Sequence, residues 1–219
     1  MNTPNKITLT RFIMAIVIVI LMVIPFSVWP ESMTNPLFDG GFNIVQIITT
    51  MLFILAAVSD AIDGHLARKH NLVTNFGKFL DPLADKFLVN SVLIILCACA
   101  NTGSNKLITH DIIYMFFILD TVLMIGRDIA VDGLRLVASV NGEVIAANIY
   151  GKIKTVMQMI VLPILMLGGF PYSLLTLANV SEDVISGISL ALLTITCIMS
   201  LISGVIYIYR GKKMLKGGK

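Results

Sequence analysis

Charged residues are scarce in this chain. Only 13% of its 219 residues are Asp, Glu, Lys or Arg, whereas soluble domains carry about 25%. Apolar residues make up 57% of the chain, and the mean hydropathy is +0.90. This balance excludes an ordinary soluble enzyme, a disordered protein and a basic nucleic-acid-binding protein. It predicts an all-α membrane protein that forms a single domain over residues 1–219 and has no nucleic acid among its partners.

Cysteine is rare as well. Cys97, Cys99 and Cys197 all lie in apolar runs, so they provide neither a disulfide framework nor the spacing of a metal site. We expect all three to pack as small apolar side chains.

Long apolar stretches are what the chain has in abundance. A transmembrane helix needs about 20 mostly apolar residues, and six segments meet this length. Turn-forming residues such as Asp39-Gly40-Gly41 separate them. We therefore predict six transmembrane helices, at Ile7–Trp29, Phe42–Leu66, Phe79–Ala100, Ile112–Ala138, Ile149–Phe170 and Val184–Tyr209.

The positive charges are distributed unevenly between the two ends of these helices. Of the 16 Lys and Arg residues, only Lys106 falls in a loop on one side, and the others cluster on the opposite side. Cytoplasmic loops carry an excess of Lys and Arg. The pattern predicts a protein of the cytoplasmic membrane with both termini, and the charged clusters, facing the cytoplasm.

Four acidic residues lie where the second helix ends and the third begins. Asp60 and Asp63 are three residues apart, and Asp81 and Asp85 are four apart, so each pair shares one helix face. Acids near a membrane interior are unfavourable unless they are neutralised. Hard oxygen ligands suit Mg²⁺ or Mn²⁺, and two such ions held by shared carboxylates can promote displacement at phosphorus.

The same stretch contains small residues at fixed positions, namely Gly64, Ala67 and Gly77, together with Arg68. Small side chains would let a nucleotide or phosphate approach the backbone closely. The whole pattern, Asp-x2-Asp-Gly-x2-Ala-Arg-x8-Gly-x3-Asp-x3-Asp, resembles the signature of the CDP-alcohol phosphatidyltransferase family. This resemblance implies a six-helix membrane enzyme, often a homodimer, that moves a phosphatidyl group from a CDP-linked donor to an alcohol and releases CMP.

The resemblance also implies roles for individual residues. Asp60, Asp63 and Asp81 correspond to the ligands of a first metal ion, and Asp60, Asp81 and Asp85 to those of a second. Asp85 corresponds to the general base. The N-terminal Pro-Asn-x-x-Thr-x-x-Arg stretch resembles the opening of family members. The CDP-binding residues implied in this way are Asn5, Thr8, Asp60, Asp63, Gly64, Ala67, Arg68 and Gly77.

A basic group in the second half of the chain points to the acceptor. Arg127 and Arg135 are eight residues apart on one helix face, and Lys152 and Lys154 begin the next helix on the same side of the membrane. Such a group suits a phosphorylated alcohol, since Arg can bind a phosphate through two hydrogen bonds. The surrounding Gly-Arg-Asp and Gly-Lys-x-Lys-Thr-x-x-Gln stretches resemble bacterial members of the family, which implies CDP-diacylglycerol as donor and glycerol 3-phosphate as acceptor.

Other functions remain open from the residues alone. A family member with another acceptor, such as inositol phosphate, shares the signature, and a membrane prenyltransferase also uses paired acidic motifs. A divalent-cation transporter is the alternative outside enzymes. Asp120 lies inside the fourth predicted helix and fits none of the motifs, and Asp128 and Asp132 are expected to neutralise the neighbouring arginines.

Overall fold

The computed structural model describes residues 3–24, 26–35, 43–70, 75–99, 110–140, 149–167 and 181–215. Within these ranges the side chains of residues 3–7, 26, 60–70, 75–79, 81–82, 140, 182 and 212–215 lie outside the description.

The described residues form helices and no strands, which confirms the all-α prediction for this part of the chain. Six long helices have lengths from 19 to 34 residues, and at 1.5 Å per residue even the shortest is about 28 Å long. A single turn of 3₁₀-helix, Phe26–Val28, and one short α-helix connect the first two long ones. The α-helices are α1 Thr3–Val23, α2 Glu31–Thr34, α3 Ile44–His70, α4 Asn75–Cys99, α5 Asp111–Val140, α6 Ile149–Leu167 and α7 Glu182–Leu215.

Two stretches are long and apolar enough throughout to span a bilayer, Ile149–Leu167 in α6 and Asp183–Gly211 in α7. The apolar parts of α1 and α3, Thr8–Val23 and Ile44–Ser59, are shorter. Large apolar side chains nevertheless face outward from all six long helices, as expected for contact with lipid rather than water. Examples that are more than half exposed are Ile20, Leu55, Ile94, Val122, Ile160 and Ile198.

The start of α3 is fixed by a capping box. The side chain of Asn43 accepts a hydrogen bond from the backbone N–H of Gln46 at 2.8 Å, and the side chain of Gln46 accepts one from the backbone N–H of Asn43 at 2.9 Å. This reciprocal pair satisfies two backbone donors that a helix otherwise leaves without partners. It fixes where α3 begins.

The helices pack around one apolar core. Helix α1 lies against α3 and α4, α5 lies along α7, and α6 contacts both α7 and α3. Buried apolar side chains from these helices fill the interior, among them Ile18, Phe53, Leu88, Leu93, Phe117, Leu162 and Leu193. This arrangement brings α4, α5, α6 and α7 around a common space.

Helices α5 and α7 run parallel. Three side-chain hydrogen bonds join them, and along both helices the partners follow each other in the same order. Helix α6, which comes between them in the chain, must therefore run back in the opposite direction. The three bonds are those from Thr194 to Asp120 at 2.6 Å, from Arg127 to Ser203 at 2.7 Å and from Arg135 to Tyr207 at 2.8 Å.

The first of these bonds accounts for Asp120. Its carboxylate is 8% exposed and accepts the hydrogen bond from the Thr194 hydroxyl of α7. An acid within an apolar helix thus serves to join two helices.

Candidate active site

A cavity of about 400 Å³ opens between α4, α5, α6 and α7. Five bases and three acids are among its lining residues, so the described lining carries an excess of two positive charges. The charged residues are Asp85, Lys86, Arg127, Asp128, Asp132, Arg135, Lys152 and Lys154. The structure therefore brings together Asp85 and the four basic residues that the sequence singles out for the acceptor.

Helical periodicity explains why these side chains meet. On α5, residues 127, 128, 131, 132 and 135 line the cavity, and on α6 residues 151, 152, 154, 155, 156 and 158 do so. The α5 residues, and residues 151, 154, 155 and 158 of α6, follow steps of three and four and so lie on one face of each helix, with residues 152 and 156 flanking that face on α6. The two helices turn these faces toward each other and toward the Asp85 side of α4.

Asp128 is the centre of an ion-pair network in the cavity wall. Its carboxylate accepts hydrogen bonds from Arg127 Nη1 at 2.7 Å and from Lys154 Nζ at 2.6 and 2.9 Å. All three side chains are at most 10% exposed. Arg127 Nη2 also donates to Ser203 Oγ at 2.7 Å. Asp128 thus neutralises Arg127 as expected, and it also fixes a lysine of the next helix.

Asp132 has a different partner from the one expected, because it pairs with Lys86 of α4. Arg135 turns instead to Tyr207, donating to its hydroxyl at 2.8 Å and lying over its ring at 5.0 Å from the centroid. An arginine over an aromatic face is stabilised by the ring quadrupole. Arg135 therefore has no carboxylate partner among the described side chains, and Lys152, which also lines the cavity, is exposed.

Asp85 is half-buried and faces this basic region from α4. Among charged groups, Arg11, Lys154 and Lys86 attract its negative charge most strongly, and Asp128 repels it. Arg11 is 1% exposed on α1, one turn after the buried Thr8. The described part of the N-terminal motif is therefore buried on α1, which packs on α4, and its Arg11 acts on Asp85.

The acidic signature lies on two continuous helices. Asp60 and Asp63 fall in α3, and Asp81 and Asp85 fall in α4, so the helical spacing needed to place each pair on one face is present. All four residues carry carboxylate oxygens, the donor type that a hard divalent cation prefers. The side chains of Asn5, Asp60, Asp63, Gly64, Ala67, Arg68, Gly77 and Asp81 lie outside the described part of the structure. Among the described side chains, no group of three or more Asp, Glu, His or Cys could hold a metal ion.

Helix α7 supplies a wall of the site that the motifs do not indicate. Ser203 and Tyr207 hold Arg127 and Arg135, and Gly204 lies directly against Arg127. The available signal was a row of small or polar residues, Ser200, Ser203 and Tyr207, at helical spacing in an otherwise apolar segment. Such a row indicates a helix face that packs closely on another helix.

Replacing Gly204 with Ala should destabilise the protein. The added Cβ would lie 2.7 Å from Arg127 Cγ, and Arg127 cannot easily yield because Asp128 and Ser203 hold its guanidinium. We expect Gly204→Ala to lower stability by about 1–3 kcal/mol, measured as the thermal unfolding midpoint in detergent. Gly187→Ala on the same helix is the control, since a Cβ there meets nothing within 4 Å. Equal midpoints for the two variants would contradict the steric argument.

Comparisons with known proteins find a matching family model and several relatives. The family model described as CDP-alcohol phosphatidyltransferase matches residues 1–202. A protein of Bacillus subtilis is 42% identical over 175 residues, covering 80% of this chain and 81% of its own. Relatives from Rickettsia felis and Rickettsia bellii are 30% and 31% identical over 212 residues, covering 97% of this chain and 96% of theirs. All three relatives are named CDP-diacylglycerol–glycerol-3-phosphate 3-phosphatidyltransferase.

Proposed function

The chain belongs to the CDP-alcohol phosphatidyltransferase family, and on this basis we propose that it transfers a phosphatidyl group from CDP-diacylglycerol to glycerol 3-phosphate. The products are phosphatidylglycerophosphate and CMP, which places the reaction in phospholipid biosynthesis. The observation that carries the choice of acceptor is the cavity that Asp85 shares with Arg127, Arg135, Lys152 and Lys154. An excess of positive charge beside a carboxylate suits an alcohol that also bears a phosphate.

The four basic residues have two kinds of environment, and each kind has its own role in the proposed binding of the acceptor. Arg127 and Lys154 are buried and held by Asp128, so their positions are set before substrate arrives. Arg135 and Lys152 are exposed and available to a phosphate that enters from the cytoplasmic side. All four supply positive charge for the acceptor phosphate, and an arginine can bind it through two parallel hydrogen bonds.

Asp85 acts as general base in the proposed reaction. It accepts the proton of the primary hydroxyl of glycerol 3-phosphate, and that oxygen attacks the phosphorus that bears diacylglycerol. The bond between this phosphorus and the CMP oxygen breaks, and CMP leaves. The cationic side chains of the cavity stabilise the negative charge that develops on the phosphoryl oxygens.

The donor side of the site is assigned to the signature residues. Asn5, Thr8, Asp60, Asp63, Gly64, Ala67, Arg68 and Gly77 form the proposed CDP-binding surface. We assign two divalent cations, Mg²⁺ or Mn²⁺, to Asp60, Asp63, Asp81 and Asp85, where when bound they would offset the charge of the donor diphosphate. The helical spacing of the two acidic pairs and their all-oxygen character fit this assignment.

The proposed setting is the cytoplasmic membrane, with six transmembrane helices, both termini and the active site on the cytoplasmic side, and a homodimer as the assembly. The outward-facing apolar side chains support contact with membrane lipids. The parallel course of α5 and α7, with α6 running back between them, supports alternate crossings. The concentration of Lys and Arg at one side of the bilayer supports the orientation.

Release of CMP tests the function. The purified full-length protein in detergent with CDP-diacylglycerol and Mg²⁺ should release CMP when glycerol 3-phosphate is added, and far less with glycerol, inositol phosphate or chelator present. Faster release with inositol phosphate would assign the protein to another acceptor of the family. Absence of release with every acceptor would overturn the proposed enzyme and favour the cation transporter.

A further inference from the structure

Gln158 has an unusual environment in the cavity. Its side chain is 2% exposed, and its amide nitrogen Nε2 is buried with no hydrogen-bond partner among the described residues. Buried polar groups are hydrogen-bonded in the great majority of cases, since an unsatisfied donor loses its bonds to water without replacement. A donor left in this way at the wall of a substrate cavity is a candidate contact for the substrate.

The position of Gln158 relates it to both ends of a bound acceptor. It lies one helical turn beyond Lys154 on the same face of α6, and both line the cavity. Lys154 belongs to the basic network around Asp128, and Asp85 lines the same cavity from α4. Gln158 is therefore an uncharged donor in a cavity that also holds the group for the acceptor phosphate and the group for the reacting hydroxyl.

Charge explains why this contact differs from the others. The basic side chains of the cavity suit a phosphate, and Asp85 suits a hydroxyl that loses its proton. A neutral amide donor suits a neutral hydroxyl oxygen instead. Glycerol 3-phosphate has one hydroxyl that takes no part in the reaction, the secondary hydroxyl on its central carbon.

We propose that Gln158 is a specificity-determining residue, whose Nε2 donates a hydrogen bond to the secondary hydroxyl of the acceptor. This inference rests on the proposed function, since it takes glycerol 3-phosphate as acceptor. It adds a requirement that the phosphate site alone does not impose. An acceptor with a phosphate and a primary hydroxyl but no hydroxyl between them leaves the Gln158 donor unsatisfied, and a site built to bond a hydroxyl discriminates against an analogue that lacks it.

The test compares two acceptors in the CMP-release assay. The monophosphate of propane-1,3-diol keeps the phosphate and one primary hydroxyl and lacks only the secondary hydroxyl. The full-length wild-type enzyme should use glycerol 3-phosphate with a kcat/KM about tenfold higher, the value of one neutral hydrogen bond. Gln158→Leu should lose this preference by slowing with glycerol 3-phosphate while its rate with the analogue stays close to that of the wild type.

Two variants make the result interpretable. Gln158→Met keeps the length of the side chain without its donor, and it should show the same loss of preference if Gln158→Leu does not fold. Gln46→Leu is the matched control, because Gln46 belongs to the capping box of α3 and should leave the ratio between acceptors unchanged.

Equal use of both acceptors by the wild type, or an unchanged ratio in a folded Gln158 variant, would overturn the role of Gln158 while CMP release still supports the enzyme. Absence of CMP release with both acceptors would instead overturn the proposed function itself. A purely structural role for Gln158 would lower both rates together and leave their ratio as in the wild type, which also contradicts the proposal.

Discussion

Asp85→Asn should reduce kcat for CMP release by about 10²–10⁴-fold, the usual contribution of a general base. Asparagine keeps the size and the half-buried position of Asp85 in the cavity wall, but it cannot accept the proton of the acceptor hydroxyl. Arg11, Lys154 and Lys86, the cations that act most strongly on Asp85, remain in place. The loss should therefore appear in turnover, with folding preserved.

The control for this variant is Asp111→Asn, the same substitution at an exposed acid in the first turn of α5. It removes a favourable charge at a helix start, worth about 0.3–1 kcal/mol, and should leave turnover unchanged. A folded Asp85→Asn enzyme with full metal-dependent activity would show that another group accepts the proton.

Asp128→Asn should have the largest effect on stability. The carboxylate of Asp128 is the counter-charge for both Arg127 and Lys154, and all three side chains are buried. Removing one partner from a buried ion pair leaves an uncompensated charge and costs about 3–5 kcal/mol. The thermal unfolding midpoint in detergent should fall accordingly, and KM for glycerol 3-phosphate should rise because two cationic side chains lose their fixed positions.

Asp132→Asn is the matched control for Asp128→Asn. Asp132 pairs with Lys86 across the same cavity, but the two side chains are 43% and 29% exposed, and exposed pairs contribute about 0–1 kcal/mol. Adding Lys154→Met to Asp128→Asn should recover part of the lost stability, since it removes one of the two uncompensated charges. Equal unfolding midpoints for Asp128→Asn and Asp132→Asn would contradict the central role of Asp128.

The sequence allowed much of the fold to be predicted, because hydropathy and helical spacing act locally. Each of the six long apolar segments overlaps one long helix, although α3 and α4 extend beyond Leu66 and begin before Phe79. The residues at those ends are too polar to be counted in an apolar segment, yet the backbone there is helical. Helix ends of this kind follow from hydrogen bonding and packing more than from apolar character.

The cavity was predictable in part, and for a physical reason. Asp85, Arg127, Arg135, Lys152 and Lys154 could be grouped from spacing along two or three helices. Their partners could not, because pairing depends on which distant helices meet. Asp132 pairs with Lys86 instead of a nearby arginine. The α7 residues that contact the arginines, Ser203, Gly204 and Tyr207, lie beyond residue 202, where the family match ends.

The contribution of α7 has a consequence for biosynthesis of the protein. The ribosome makes this helix after the acidic signature of α3 and α4 and the basic cluster of α5 and α6. Ser203 and Tyr207 then provide the oxygens that hold Arg127 and Arg135 in place. A nascent chain thus carries every signature residue while the cavity still lacks one wall, and the cavity is complete only when α7 packs beside α5.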